Sequence, residues 1–321
     1  MKKRAARYMW LDTLRGLATV FVLLGHELTF ASNYILLTSP IKIPLFFCLS
    51  GFLFNDEKGN TTLFFRKMTY RIILPWLILA FFPRVCASII RGPVFLIESA
   101  KSILLGDMTW YFPCCIISLS IWFFQNKLIK NQWLMILSPL LLGSLGFILA
   151  HEHILDFLFI NNALISQIFL LLGRELKIHM ASVEKLSVKT IILIFTTYII
   201  LAIISCILFP GQTMDIHTNR YYNIFLCLAM IFTGNLFLFS AASRIVVKWN
   251  PLAFIGQNSI LFYLWGGYMA GFVKHFLEII HVPSSNQILY ALIVTILTCV
   301  GCGVTAIFIN RYLPFVNGKR R

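Results

Sequence analysis

Hydrophobic residues fall into ten long runs, at about residues 9–30, 40–55, 71–90, 109–125, 133–150, 162–174, 189–209, 221–242, 251–275 and 287–310. Most approach the roughly 20 residues that an α-helix needs to cross a hydrocarbon layer about 30 Å thick. Short polar segments separate them. The pattern predicts an all-α, polytopic integral membrane protein of about ten transmembrane helices, forming a single domain over residues 1–321. The runs at 40–55 and 162–174 are short, which predicts helices tilted against their neighbours or broken inside the bundle. Irregular backbone is tolerated at membrane depth only beside protein or a water-filled cavity.

Charge gives the orientation. Lys2, Lys3, Arg4 and Arg7 precede the first run. Counting alternate loops from there collects Lys58, Arg66, Lys67, Arg71, Lys127, Lys130, Arg174, Lys177, Lys185, Lys189, Arg244, Lys248, Arg311, Lys319, Arg320 and Arg321. That is 20 of the 27 basic residues, against Lys42, Arg91, Lys101, Arg220 and Lys274 on the other side. The positive-inside rule then places both termini in the cytoplasm. The formal net charge of +15 therefore reflects topology, and its dispersal over short loops argues against nucleic acid as a partner. MKKRAAR ahead of an apolar run has the opening of a signal peptide, but Asp12 and Arg15 interrupt the apolar core and no small-residue cleavage site follows. A retained first helix is expected. The eight cysteines lie mostly within apolar runs, and the CxxC pair Cys299 and Cys302 reads as small packing residues.

The first run, WLDTLRGLATVFVLLGHELTF, contains charges that a bilayer penalises. A charge at the centre of a membrane costs about 2.5–3.5 kcal/mol on insertion scales, so ionisable groups there usually face a protein interior. Arg15 and His26 are eleven residues apart, almost three helical turns, which puts both on one face roughly 16 Å apart along the axis. The orientation sets Arg15 toward the cytoplasm and His26 toward the exterior. The alternative is that Arg15 snorkels to the interface and His26 only caps the far end. Arg84, after Pro83, is a second cation inside a run and a candidate partner for Asp12, Glu98 or a substrate. His151, Glu152 and His153 have no third ligand nearby, so an exterior loop is expected there and no metal site.

Several stretches resemble the acyltransferase-3 family of membrane acyltransferases, which acylate sugars and other acceptors. LDTLRGLATVFVLLGH is similar to that family's first-helix signature of an arginine and a histidine separated by ten residues. IPLFFCLSGFLF (Ile43 to Phe54) matches its second-helix FF-x-x-SG run, and FFRKMTYRIILPW (Phe64 to Trp76) is similar to the basic segment and proline of its third helix. Trp110-Tyr111-Phe112-Pro113 and IGQNSILFYLW (Ile255 to Trp265) resemble two later signatures. The sequence departs from the family pattern at Met68, at Thr109 and at Trp265-Gly266-Gly267, where arginine, histidine and histidine are usual.

The resemblance implies acyl transfer to a hydroxyl, with His26 and Arg15 as catalytic residues. The reaction needs a base for the hydroxyl proton and a donor for the developing oxyanion. His26 would be the base of a direct transfer or would itself carry the acyl group. Arg66, Lys67 and Arg71, with Arg15, would hold the phosphates of coenzyme A; otherwise the first three serve topology alone. Arg84, Ser50 and Trp110 complete the candidate site as substrate-binding residues. Ser50 is read either as an acyl acceptor or, beside Gly51, as a close-packing residue.

No tightly bound cofactor is expected, with acetyl-CoA or another acyl-CoA as co-substrate. The expected partners are the lipid bilayer, the acyl-CoA donor and a glycan or lipid-linked saccharide acceptor, in a bacterial plasma or inner membrane. A transporter or flippase for a lipid-linked saccharide is the competing reading, with Arg15, Arg84 and His26 lining a pathway. A substrate-binding scaffold is the third. The topology is testable directly. In a background without native cysteines, cysteines at Ser32 and Asn219 are expected to react with an impermeant thiol reagent from outside. Those at Lys127 and Lys248 should react only after the membrane is opened.

Overall fold

The computed structural model describes residues 2–28, 32–55, 59–154, 157–244, 250–283 and 285–318. Among them there is no strand, only a single antiparallel bridge between Asp215 and Arg220. The first half of the chain forms α1 (Lys2–Glu27), α2 (Ser32–Leu53), α3 (Thr61–Met68), a π turn (Thr69–Ile73), α4 (Leu74–Arg91), α5 (Pro93–Leu105), α6 (Tyr111–Leu128) and α7 (Gln132–His151). The second half forms α8 (Ile160–Ile178), the single turn α9 (Met180–Val183), α10 (Val188–Leu208), α11 (Ile224–Ala242), α12 (Pro251–Gln257), α13 (Ser259–Ile279) and α14 (Gln287–Tyr312).

Every predicted run holds a helix. Among the described residues seven helical stretches are long and apolar enough to cross a membrane: Asn33–Leu53, Thr61–Arg91, Gln132–His151, Phe157–Ile178, Val188–Leu208, Ile224–Ala242 and Gln287–Tyr312. The chain is a polytopic all-α membrane protein. The other three runs are α1, α6 and α13, whose polar residues (Asp12 and Arg15; Ser118, Ser120 and Gln125; Lys274, His275 and Glu278) lower their apolarity.

The two short runs are full helices, of 22 residues in α2 and 19 in α8. Pro40 and Pro44 lie inside α2 rather than at its edge. A proline removes the donor for the carbonyl four residues back, so Pro44 leaves the carbonyl of Pro40 open. Asn235 Nδ2 of α11 reaches that oxygen at 3.5 Å, and the Tyr198 hydroxyl of α10 donates to the carbonyl of Leu37. Helix α11 thus supplies the bond that Pro44 denies, and Tyr198 ties α10 to α2 at the carbonyl next to that of Leu36, which Pro40 leaves open.

The basic segment at 66–71, read as the mouth of the third helix, is itself helical. Pro75 cannot donate to Arg71, and the chain widens just before it into a π turn in which Leu74 N–H reaches the carbonyl of Thr69. The stretch 93–105, expected as part of an exterior loop, is α5. It starts at Pro93 after Gly92 (φ 87°) and stops at Gly106 (φ 92°), where the left-handed backbone favours glycine.

The described residues divide into two compact units, 1–53 with 172–303 and 54–171 with 304–321. In the first, Leu11, Leu14, Leu45, Leu49 and Phe239 form a buried core closed by Trp10, whose ring meets Phe52 and Phe239 edge-on at 5.6 and 5.7 Å. Here helices meet backbone to backbone. A β-carbon at Gly16 would lie 1.8 Å from the Leu252 carbonyl oxygen, and one at Gly256 would lie 1.9 Å from that of Asp12. Gly173 of α8 meets the carbonyl of Cys48 in α2 in the same way, at 1.9 Å. Asn250 sets the α1–α12 crossing. Its carbonyl caps α12 by accepting from Ala253 N–H at 3.0 Å, while its amide donates to Thr13 Oγ1 at 2.6 Å.

In the second unit Phe64 stacks on Phe123 at 4.3 Å, and Trp76 on Phe112 at 5.7 Å. Ser118 of α6 and Ser166 of α8 share a buried hydrogen bond of 2.6 Å, and Gln167 donates to the carbonyl of Ser118 at 3.1 Å.

Segments that the charge tally assigns to one side are neighbours within each unit. Arg244 donates to the carbonyl of Glu184 at 3.1 Å, and Lys127 to Thr61 Oγ1 at 2.8 Å. A β-carbon at Gly318 would lie 3.0 Å from the carbonyl of Arg71.

Gly256→Ala is expected to lower stability by at least the ~1–3 kcal/mol typical of overpacking, because backbone rather than a yielding side chain opposes it. Gly271, with nothing within 4 Å of an added β-carbon, provides the control. Gly271→Ala should leave the melting temperature in detergent level or higher.

Candidate active site

Helix α1 runs unbroken from Lys2 to Glu27, so Arg15 and His26 share one face about 16 Å apart along the axis. Around Arg15 the site is built by α1 and α12. Arg15 Nη1 lies 3.4 Å from Asp12 Oδ1, and the other carboxylate oxygen of Asp12 accepts from Gln257 Nε2 at 3.1 Å. Both charged side chains are partly exposed. Arg15 stands where Gly16 and Gly256 bring the two backbones together, and this crossing fixes the height of the guanidinium on α1.

At the other end of α1 the imidazole of His26 is exposed. Glu27 turns away from it and pairs with Lys274 of α13 at 2.8 Å. Gly25 lies under an amine: a β-carbon there would be 3.2 Å from Lys42 Nζ and 3.9 Å from the ring of Tyr34. Lys42, Glu27 and Lys274 are the charges that act on His26, Lys42 foremost. Asp215, in the segment between α10 and α11, acts in turn on Lys42. An exposed imidazole with an amine over the residue before it and a paired carboxylate on the residue after it sets a base in a positively charged neighbourhood.

Ser50 belongs to the same unit, on α2. Its hydroxyl donates to the carbonyl of Phe46 at 2.8 Å within its own helix. The remaining candidates lie in the second unit. Arg66 and Lys67 close α3, and Arg71 sits in the π turn, with Arg66 and Arg71 exposed. Arg84 of α4 lies over the ring of Phe95 in α5, its Cζ 5.8 Å from the centroid. Trp110 stands at the start of α6 with Phe159 at 5.9 Å and Tyr111 at 6.2 Å. Beside it Thr109, which stands where the family usually has histidine, accepts from Trp76 Nε1 at 2.9 Å and donates to the carbonyl of Ile103 at 3.3 Å. His151 ends α7 and His153 adopts a left-handed φ of 54°. Among the described residues no group of three or more His, Cys, Asp or Glu converges as metal ligands would.

Two features of this site escaped the sequence reading. Lys42 counts with the charges of the other side because it lies at the very start of the apolar run at 40–55, whereas it is in the middle of α2. The rule that drew attention to Arg15, an ionisable residue within an apolar helix, would have singled it out had the helix been started at Ser32. The Glu27–Lys274 and Asp12–Gln257 contacts join residues about 245 positions apart, and no local pattern announces them.

A family model described as an acyltransferase domain, that of the acyltransferase-3 family, matches residues 8–307 of the chain. No curated protein and no solved structure matches it.

Proposed function

The chain belongs to the acyltransferase-3 family and is a membrane acyltransferase, and from that premise we propose that it transfers an acyl group, acetyl in the first instance, from coenzyme A to a hydroxyl of a cell-surface polysaccharide or its lipid-linked precursor. The observation that carries this reading is the exposed imidazole of His26, on one face of α1 with Arg15 and next in sequence to Glu27, which pairs with Lys274. In a direct transfer His26 takes the acceptor's hydroxyl proton as the oxygen attacks the thioester carbon. The new C–O bond forms, the C–S bond breaks, and the proton passes to the departing thiolate. With His26 as carrier, the imidazole makes the first attack and the acceptor the second. Exposed guanidinium groups at Arg66 and Arg71, with Lys67 between them, supply the geometry that favours phosphate and would hold the nucleotide end of the donor. The protein would work in a bacterial plasma or inner membrane, with the donor arriving from the cytoplasm and the acceptor near His26.

His26→Ala is expected to lower transfer of label from radiolabelled acetyl-CoA into glycan by at least ~10²–10⁴-fold, the contribution typical of general-base help. Expression and membrane insertion should persist. Near-normal labelling would remove His26 from the reaction. Replacing Arg66 and Arg71 together by Gln should raise the apparent KM for acetyl-CoA by roughly tenfold to a hundredfold, since a hydrogen bond to a charged group is worth about 1.5–3 kcal/mol. The acceptor KM should hold. An unchanged donor KM would assign these residues to topology alone.

A further inference from the structure

Lys42 is an ammonium group deep in a membrane helix, between Ile41 and Ile43, each 8% exposed. Such a group is costly to keep within a membrane helix and is usually tied to a partner or a task. The nearby carboxylates have other engagements. Glu27 pairs with Lys274 at 2.8 Å. Asp215 acts on Lys42 from a distance, but its oxygens accept from His217 N–H at 2.9 Å and from Thr218 Oγ1 at 2.8 Å. Among the described residues Lys42 forms no ion pair. Its amine instead lies over Gly25, where a β-carbon would come to within 3.2 Å, and this is the residue that precedes His26. Gly25 is helical and needs no left-handed backbone. Its missing side chain leaves room for the amine to lie against α1 at the residue before His26.

We infer that Lys42 is a catalytic residue of the acyl transfer, its ammonium group holding the carbonyl oxygen of the acyl group as that oxygen becomes an oxyanion beside His26. This rests on the acyl-transfer reading above and adds the electrophilic half of the site. When a nucleophile attacks the thioester carbon, the C=O π pair moves onto oxygen, and the ammonium stabilises that charge until the pair returns and the C–S bond breaks. The amine gains and loses no proton. The task is the same whether His26 activates the acceptor or carries the acyl group, because both routes pass through a tetrahedral oxyanion. A fixed cation aimed where charge develops stabilises the transition state more than the ground state, so its loss appears in kcat rather than in substrate affinity.

The bland alternative is structural. The last carbonyls of α1 carry partial negative charge, and a lysine laid against them would stabilise the helix end without touching substrate. The test uses the full-length protein in proteoliposomes, radiolabelled acetyl-CoA as donor and lipid-linked saccharide extracted from the host membrane as acceptor. Rates are normalised to folded protein measured by size-exclusion chromatography. Lys42→Met should lower the rate at saturating acetyl-CoA by about 10²–10³-fold, the cost typical of removing one oxyanion donor, and leave the apparent KM for acetyl-CoA unchanged. Lys42→Arg should retain more of the rate than Lys42→Met. Gly25→Ala, which displaces the amine and keeps a helix-favouring residue, should also lower kcat, and should cost nothing further when combined with Lys42→Met. A Lys42→Met rate per folded molecule equal to wild type, with only a lower melting temperature, overturns the inference and leaves the structural role. Wild-type protein that transfers no label overturns the acyl-transfer reading itself, and the task of Lys42 with it.

Discussion

Where α1 crosses α12, backbone touches backbone. Gly16 and Gly256 each face a carbonyl of the other helix at a separation no side chain permits. In a membrane such contact replaces the hydrophobic effect as the force that joins helices, because lipid tails are as apolar as leucine. Asn250 and Gln257 then bind the crossing with polar contacts to Thr13 and Asp12, which fix its rotation as well as its distance. Every candidate residue on α1 inherits its position from this joint. Arg15 is adjacent to it, and His26 stands about 16 Å further along the same rigid rod.

The other end of α1 follows a different physics. There, Glu27 pairs with Lys274 of α13, and the one small residue, Gly25, admits the Lys42 side chain of α2 rather than a backbone. One helix therefore uses glycine in two ways. At Gly16 it allows close packing, and at Gly25 it leaves room for an amine. The acyltransferase reading needs both: a rigid helix, and charge brought next to the imidazole without a side chain between.

Much of this was legible in the sequence. Each of the ten apolar runs holds a helix, and seven helical stretches among the described residues reach spanning length and apolarity, because both are properties of consecutive residues. The spacing of Arg15 and His26 fixed a shared face because α1 is unbroken. What stayed hidden depended on distant partners. Helix α2 passes through Pro40 and Pro44, with Asn235 of α11 meeting the carbonyl that Pro44 leaves open and Tyr198 of α10 tying down the neighbouring turn. With those partners unknown, Pro40 looks like the start of the helix and Lys42 like a residue at its edge rather than its middle. Helix α5 was hidden for a different reason: 13 residues of mixed polarity between Gly92 and Gly106 give neither spanning length nor a clear periodic face.

The π turn at Thr69–Ile73 has a consequence for how the basic segment is drawn. Such a turn accommodates one residue more than an α-helical turn, and one residue corresponds to about 100° of rotation. Side chains before it are thus out of phase with those after it. A single helical wheel drawn through Thr61–Arg91 would set Arg66 and Lys67 on the wrong side relative to Trp76 and Leu79. Periodicity has to be counted separately before and after Thr69–Ile73, so the direction in which Arg66 and Lys67 point is tied to a turn that precedes Pro75, whose own side chain is buried.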